Sequence, residues 1–317
     1  MSQKVLITGA TGFVGSNLAH RLIEEGYEVH VLTRRSSDKW RLADMESTIH
    51  NHSADLLEAE KLENIVKDIQ PDIVFHLATM GIYGGVHSPE KNVIENNLFG
   101  TINLINACNE IDYTCFVNTG SSSEYGPKSE PMKESDRCEP VNVYGISKCA
   151  STNYSTLIAK TKDKPIINLR LFSPYGPYDD SRRLIPYVIS NALCGNKLQL
   201  ADSCAVRDYV YIDDVLDIYM KSINLAGRYK GEIFNVGRGE SISVKYVVKK
   251  VLEISLSKSA VEWNTFYGRD HDCSKWEADT KKTSQYFKWE PEYSMEDGIR
   301  KTIQWFKSNP QLMNKHY

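Results

Sequence analysis

A strand-like run, Lys4-Val5-Leu6-Ile7-Thr8, leads directly into Gly9-Ala10-Thr11-Gly12-Phe13-Val14-Gly15 and then into a segment of helical period. In this GxxGxxG spacing one glycine permits the tight turn, one lets the backbone approach a pyrophosphate, and one lets the helix pack closely on the strand. Backbone N–H groups and the positive end of the helix dipole then favour an anion. Taken alone, such a pattern also fits an ordinary strand-to-helix turn. Between the first strand and the first helix, it predicts a dinucleotide site contacted by Gly9, Thr11, Gly12, Phe13, Val14 and Gly15.

The first half of the chain continues in the same alternation. Strands are expected at 4–8, 28–33, 72–77, 114–119 and 165–171, and helices at 13–25, 91–110 and 143–161. Along 91–110, Ile94, Leu98, Ile102, Ile105 and Cys108 recur on one face, which core packing explains, with a partner subunit as the alternative. Beyond about residue 175 the pattern loosens into shorter elements without a low-complexity linker. The expected fold class is α/β, a Rossmann-type doubly wound parallel sheet with a smaller C-terminal α/β lobe. Residues 1–175 would hold the dinucleotide and the catalytic groups, and 176–317 mainly the substrate, with a crossing of the chain between lobes left open.

A chain of 317 residues can build such a core, and its 41% apolar and 25% charged residues exclude a disordered or fibrous protein. The net charge of −3 supplies no basic field for nucleic acid or acidic lipid, and no apolar run nears the roughly 20 residues of a membrane span. The first residues show no signal-peptide pattern. The seven cysteines are odd in number and without CxxC spacing, so reduced thiols and a cytoplasmic location are expected. His50-x-His52 has no evident third ligand, so no metal is expected.

The second strand ends Val31-Leu32-Thr33-Arg34-Arg35-Ser36-Ser37. An acid there would accept the ribose 2′-hydroxyl of NAD(H), whereas guanidinium groups suit a 2′-phosphate. Thr33, Arg34, Arg35 and Ser36 therefore predict NADP(H) over NAD(H), the alternative being a solvated basic turn. Further on, Tyr144-Gly145-Ile146-Ser147-Lys148 places a phenol and an ammonium on one helical face at i, i+4. A nearby cation stabilises phenolate and makes the tyrosine a usable general acid or base. Asn118-Thr119-Gly120-Ser121-Ser122-Ser123-Glu124-Tyr125-Gly126 offers a serine hydroxyl for the same substrate oxygen.

These motifs resemble the extended short-chain dehydrogenase/reductase family in its nucleotide-sugar-modifying, epimerase/dehydratase-like branch, closest in character to nucleotide-linked 4-keto-6-deoxysugar 4-reductases. The resemblance includes Ala54-Asp55-Leu56, Phe75-His76-Leu77-Ala78, Leu169-Arg170-Leu171-Phe172-Ser173-Pro174-Tyr175-Gly176-Pro177, Arg207-Asp208-Tyr209, Asn235-Val236-Gly237, Gly268-Arg269-Asp270 and Trp289-Glu290-Pro291. It implies Ser121, Tyr144 and Lys148 as catalytic residues. It implies Asp55 and Leu56 at the adenine edge, and Leu77, Ala78, Thr79, Tyr144, Lys148 and Phe172 as further cofactor contacts. Met80, Tyr83, Ser122, Ser123, Ser173, Arg207 and Arg269 would face a nucleotide-diphosphate sugar, the two arginines on its pyrophosphate. Ser173 stands where many relatives have Asn. A homodimer built as a four-helix bundle from 91–110 and 143–161 is also implied.

Within that family, 4,6-dehydratases place an Asp-Glu pair where this chain has Ser122 and Ser123. GDP-fucose synthase has a cysteine at the Ser123 position and a histidine corresponding to Tyr178. Both sets are replaced here, which disfavours dehydration and coupled 3,5-epimerisation. What remains is hydride transfer at a sugar carbon, which the resemblance places at C4. The expectation is NADPH-dependent reduction of a 4-ketosugar with Tyr144 as general acid. The alternatives are a 4-epimerase with tightly bound NAD(P) and a catalytically silent dinucleotide-binding protein. Ala78-Thr79-Met80-Gly81-Ile82-Tyr83-Gly84-Gly85 is similar to the loop of bacterial CDP-linked deoxysugar reductases, or is simply a glycine-rich wall of the cofactor cleft.

Overall fold

The computed structural model describes residues 2–81, 88–201, 205–265 and 276–312. The chain begins with β1 (Lys4–Thr8), α1 (Phe13–Glu24), β2 (Glu28–Thr33), β3 (His50–Ser53), α2 (Ala59–Ile69) and β4 (Ile73–His76). It continues through α3 (Glu90–Ile94), a π turn (Glu95–Phe99), α4 (Gly100–Asn109), β5 (Cys115–Ser121), α5 (Val143–Thr161) and β6 (Ile166–Leu171). β4, β5 and β6 are buried along their whole length, as apolar strands covered by helices on both faces must be. Strand period alternates the side chains between two cores. Val5 and Ile7 join the cluster containing Leu18 and Leu22 of α1, while Leu6 joins Leu62, Val66 and Leu104 of α2 and α4.

The second half adds β7 (Ser173–Tyr175), α6 (Leu184–Cys194), β8 (Leu198–Gln199), β9 (Val206–Arg207), β10 (Tyr209–Tyr211), α7 (Ile212–Leu225), β11 (Ile233–Val236), β12 (Ile242–Ser243), α8 (Val244–Ser255), β13 (Val261–Glu262), α9 (Lys281–Phe287) and α10 (Met295–Ser308). It returns to the sheet, because β11 pairs with β6 and α7 packs beside α1 and β5. The sheet order is β11-β6-β5-β4-β1-β2-β3, all parallel. Parallel pairing brings the ends of β1, β2, β4, β5 and β6 to one edge, where ligands of open α/β sheets bind. The short pairs β7–β10, β9–β12 and β8–β13 lie outside this sheet. One continuous apolar cluster joins α1 and α7 to α6, α8 and α10.

The expected α/β fold class is found, and the five expected strands occur within a residue or two of their predicted ends. β3 and β11 were outside that expectation. β3 reads His-Asn-His-Ser and is largely exposed at the sheet edge, so it carries no apolar alternation. The helix expected at 91–110 is interrupted by the π turn, which carries the buried Asn97. Among the described residues no helix is long and apolar enough to cross a membrane.

Candidate active site

The glycine loop closes as a tight turn, with Gly12 N donating to Gly9 O at 3.0 Å. Gly9 has φ +76°, and a Cβ there would lie 2.5 Å from Ala78 N; one on Gly15 would lie 2.3 Å from Gly9 O. Side chains at either position would push β1, β4 and α1 apart. Gly12 caps α1 without a side-chain acceptor, and the first turn holds no acid, so this helix end suits an anionic group. Phe13 and Val14 are half-buried behind it, and Thr11 O accepts from Arg41 Nη1 at 3.2 Å. Asn17 reaches across to Pro177 O at 3.0 Å, tying α1 to the chain beyond β7.

At the end of β2, the Thr33 hydroxyl donates to Asn51 Oδ1 of β3 at 2.7 Å. Arg34, Arg35 and Ser36 follow, all exposed, in a turn closed by Ser37 N and Arg34 O. Asp55 lies after β3, with Oδ1 accepting from Leu57 N, and the neighbouring Leu56 O accepts from Asn103. After β4, Leu77 N and Ala78 N both return to Thr8, through its carbonyl and its hydroxyl. Thr79 and Met80 are held by Asn97, whose Oδ1 accepts from Thr79 Oγ1 and Met80 N and whose Nδ2 donates to Met80 O. Asn97 Nδ2 also donates to Ser147 Oγ at 2.9 Å, joining this loop to the helix that bears Tyr144 and Lys148.

Ser121 ends β5, with Ser122–Glu124 turning behind it as a capping box: Ser123 N donates to Ser121 Oγ, and Ser121 N donates to Glu124 Oε1 at 2.8 Å. Glu124 is fully buried against Arg170, with Arg170 Nε at 2.8 Å from Oε2, and it also accepts from Thr152 Oγ1 of α5. Gly145 lets α5 approach this turn, since a Cβ there would lie 2.4 Å from Ser123 O. Asn142 caps the helix through Gly145 N. Ser121 thus lies at the end of β5, and the turn that follows it packs on α5, which carries the half-buried Tyr144 and the buried Lys148.

Lys148 is 3% exposed. Burial pushes its pKa down to about 8, with Glu124 opposing the shift. His76, bridging Thr8 and Thr101, is held neutral, its pKa pushed to about 3 by burial and by Lys148. A buried ammonium on α5 and an uncapped end of α1 fit a dinucleotide that offers ribose hydroxyls to one and phosphates to the other.

On the opposite wall, Trp276 Nε1 donates to Ser122 Oγ at 2.9 Å, and the Arg207 guanidinium lies 5.7 Å from the Trp276 ring centre. Asp208, beside Arg207, accepts from the N–H groups of Arg238, Gly239 and Ala278, although burial still raises its pKa to about 6. Ser173 is tied to Asp208 O through its N–H, and Phe172 packs with Tyr125, Met132 and Ala278. Tyr83 and Arg269 lie outside the described residues. Sequence reasoning missed Asn97 and Trp276, whose roles depend on contacts that no local pattern announces.

A family model described as the NAD dependent epimerase/dehydratase family matches residues 5–237. The chain belongs to this family. It is an extended short-chain dehydrogenase/reductase, as the motifs implied. CDP-abequose synthase of Salmonella muenchen is 28% identical over 307 residues, covering 96% of this chain and 98% of the relative. A UDP-glucose 4-epimerase from Thermotoga maritima, solved with UDP-glucose, aligns with TM-score 0.88 and 26% identity over 97% of this chain and all of that one. The Thermus thermophilus UDP-glucose 4-epimerase, in complex with NAD, aligns with TM-score 0.85 and 26% identity, covering 96% of this chain and 99% of that one.

The buried lysine gives the first testable outcome. Its folded pKa of about 8 lies below the ordinary 10.5, so between these values the unfolded chain binds more protons and stability rises with pH. Urea unfolding of wild type and Lys148→Met from pH 8 to 10 should show wild type gaining relative to the variant. Parallel pH profiles would place Lys148 in a wetter site than this structure does.

Proposed function

We propose that this protein reduces the C4 ketone of a nucleotide-linked deoxysugar with NADPH, Tyr144 serving as general acid. The end of β2 carries the reading. Thr33 occupies the position where an acid would favour the 2′-hydroxyl of NAD, its own hydroxyl is engaged by Asn51, and the exposed Arg34 and Arg35 follow. Gly9, Gly12 and Gly15 with the start of α1 would hold the pyrophosphate, and Lys148 the nicotinamide ribose. The bound dinucleotide supplies the hydride.

The chain's own residues supply the rest. Ser121 Oγ accepts from Ser123 N, which leaves its O–H to donate to the ketone oxygen. Tyr144 delivers the proton to the alkoxide, and the Lys148 ammonium one turn away stabilises the resulting phenolate. Ser122 and Ser123 hold the positions of a dehydratase's acid pair, and neither hydroxyl abstracts a proton at neutral pH. Ser122 is instead engaged by Trp276. Arg207, which lies beside Trp276, would meet the sugar nucleotide's pyrophosphate. A 4-epimerase with retained NAD(P) is the second reading, favoured by the two UDP-glucose 4-epimerase structures aligned above.

Incubation with NADPH and a panel of CDP-, dTDP-, GDP- and UDP-linked 4-ketosugars, followed by mass spectrometry, separates the two. The reductase oxidises one NADPH per product, prefers it to NADH by at least about tenfold, and loses roughly 10²-fold or more in kcat in Tyr144→Phe with cofactor affinity kept. Interconversion of C4 epimers without NADPH consumption would establish the epimerase.

A homodimer is part of the proposal. Phe99, Ile146 and Leu157 are each about half exposed on the neighbouring π turn and α5, more apolar surface than a solvated helix pair needs. Pairing with the same face of a second copy would form a four-helix bundle. Sedimentation equilibrium should give a dimer at micromolar concentration, and a monomer in Leu157→Glu. A wild-type monomer would overturn this part.

A further inference from the structure

Four metal-ligating side chains converge far from the catalytic strand ends, at the β2–β3 edge. Parallel pairing sets His30 directly beside His50, and the strand period puts Glu28 with His30, and His50 with His52, on one face. Glu28 Oε1 lies 3.0 Å from His30 Nε2, His30 Nδ1 lies 3.0 Å from His52 Nε2, and the His30 and His50 rings stack with centres 4.7 Å apart. Ligand atoms of Glu28, His30 and His50 all lie within 4.8 Å of one another.

We propose that Glu28, His30 and His50 bind one divalent transition-metal ion of the zinc, cobalt or nickel class, with His52 orienting His30. Ligands about 2.1 Å from a tetrahedral ion stand about 3.4 Å apart, so the cluster needs only a small contraction. His50 and Glu28 can supply it, because His50 is exposed and Glu28 partly so. Two imidazoles and a carboxylate suit a borderline ion better than magnesium or calcium, which prefer all-oxygen sites. His30 already has the arrangement of a ligating histidine. With Nε2 on the ion, the ring proton sits on Nδ1, where His52 Nε2 accepts it and fixes the ring.

Two strands would thereby be cross-linked at the sheet's outer edge. β3 is held mainly by its pairing with β2, and it carries Asn51, which receives the Thr33 hydroxyl beside the proposed cofactor turn. Occupation would stiffen that edge. Among the described residues, the other candidate cluster, Glu124 with Cys138 and Cys149, is poorly suited to a cation: Arg170 already pairs with Glu124 and stands 3.2 Å from Cys138 Sγ.

Cobalt chloride titration of the full chain without a polyhistidine tag tests the proposal. One equivalent should develop visible d–d absorption without a sulfur-to-cobalt charge-transfer band, and should raise Tm. His50→Gln should weaken binding at least tenfold while leaving the metal-free Tm unchanged, and His52→Ala should weaken it by about tenfold or more. No saturable absorption at one equivalent, equal binding by His50→Gln, or a thiolate charge-transfer band would overturn it.

Discussion

Arg170 and Glu124 form an ion pair sealed from solvent between β6 and the turn that ends β5. Burying two charges costs several kcal/mol each unless their hydrogen-bonding capacity is filled. Here Glu124 also takes the N–H of Ser121 and the hydroxyl of Thr152, while the Arg170 guanidinium stacks 4.4 Å from the Tyr125 ring centre and reaches Cys138, leaving Nη1 buried without a partner. Four segments are therefore fixed by one carboxylate and one guanidinium. Removing either partner would leave the other charged and buried, which ties the integrity of the core to the geometry of the site.

From that joint the proposed catalytic residues follow in order. Ser121 is set by its N–H on Glu124, α5 is drawn in through Thr152, and Gly145 lets its first turn rest on Ser123. Asn97 closes the far side by holding Thr79, Met80 and Ser147 at once. The site is preorganised by backbone and buried polar contacts on strands and helices, so its positions do not depend on mobile surface side chains. In the proposed reading, what distinguishes one reaction from another lies on top of this frame: the hydroxyls of Ser122 and Ser123, and the acid-free, arginine-bearing turn after β2.

Much of this was legible before any coordinates. The glycine loop, the five apolar strands and the Tyr144–Lys148 spacing are local patterns, and local patterns survive folding when the periodicity is strong. β3 escaped because an exposed strand of His, Asn and Ser has no apolar alternation to read. β11 escaped because a four-residue strand joins the sheet only through a contact with β6. Asn97, Trp276 and the Glu28–His30–His50–His52 cluster were illegible for the same reason: their partners are distant in sequence, and a His-x-His pair looks unaccompanied until the neighbouring strand is in register.

In the proposed reaction this buried frame serves a net reduction, with the hydrogen at C4 coming from the dinucleotide and the hydroxyl proton from Tyr144. Turnover with NADPH carrying deuterium at both C4 positions of the dihydronicotinamide, followed by nuclear magnetic resonance of the product, tests it most directly. The account predicts one deuterium at sugar C4 for each dinucleotide oxidised and none at C3 or C5. An epimerised product without deuterium at C4, formed while the added dinucleotide stays reduced, would contradict it.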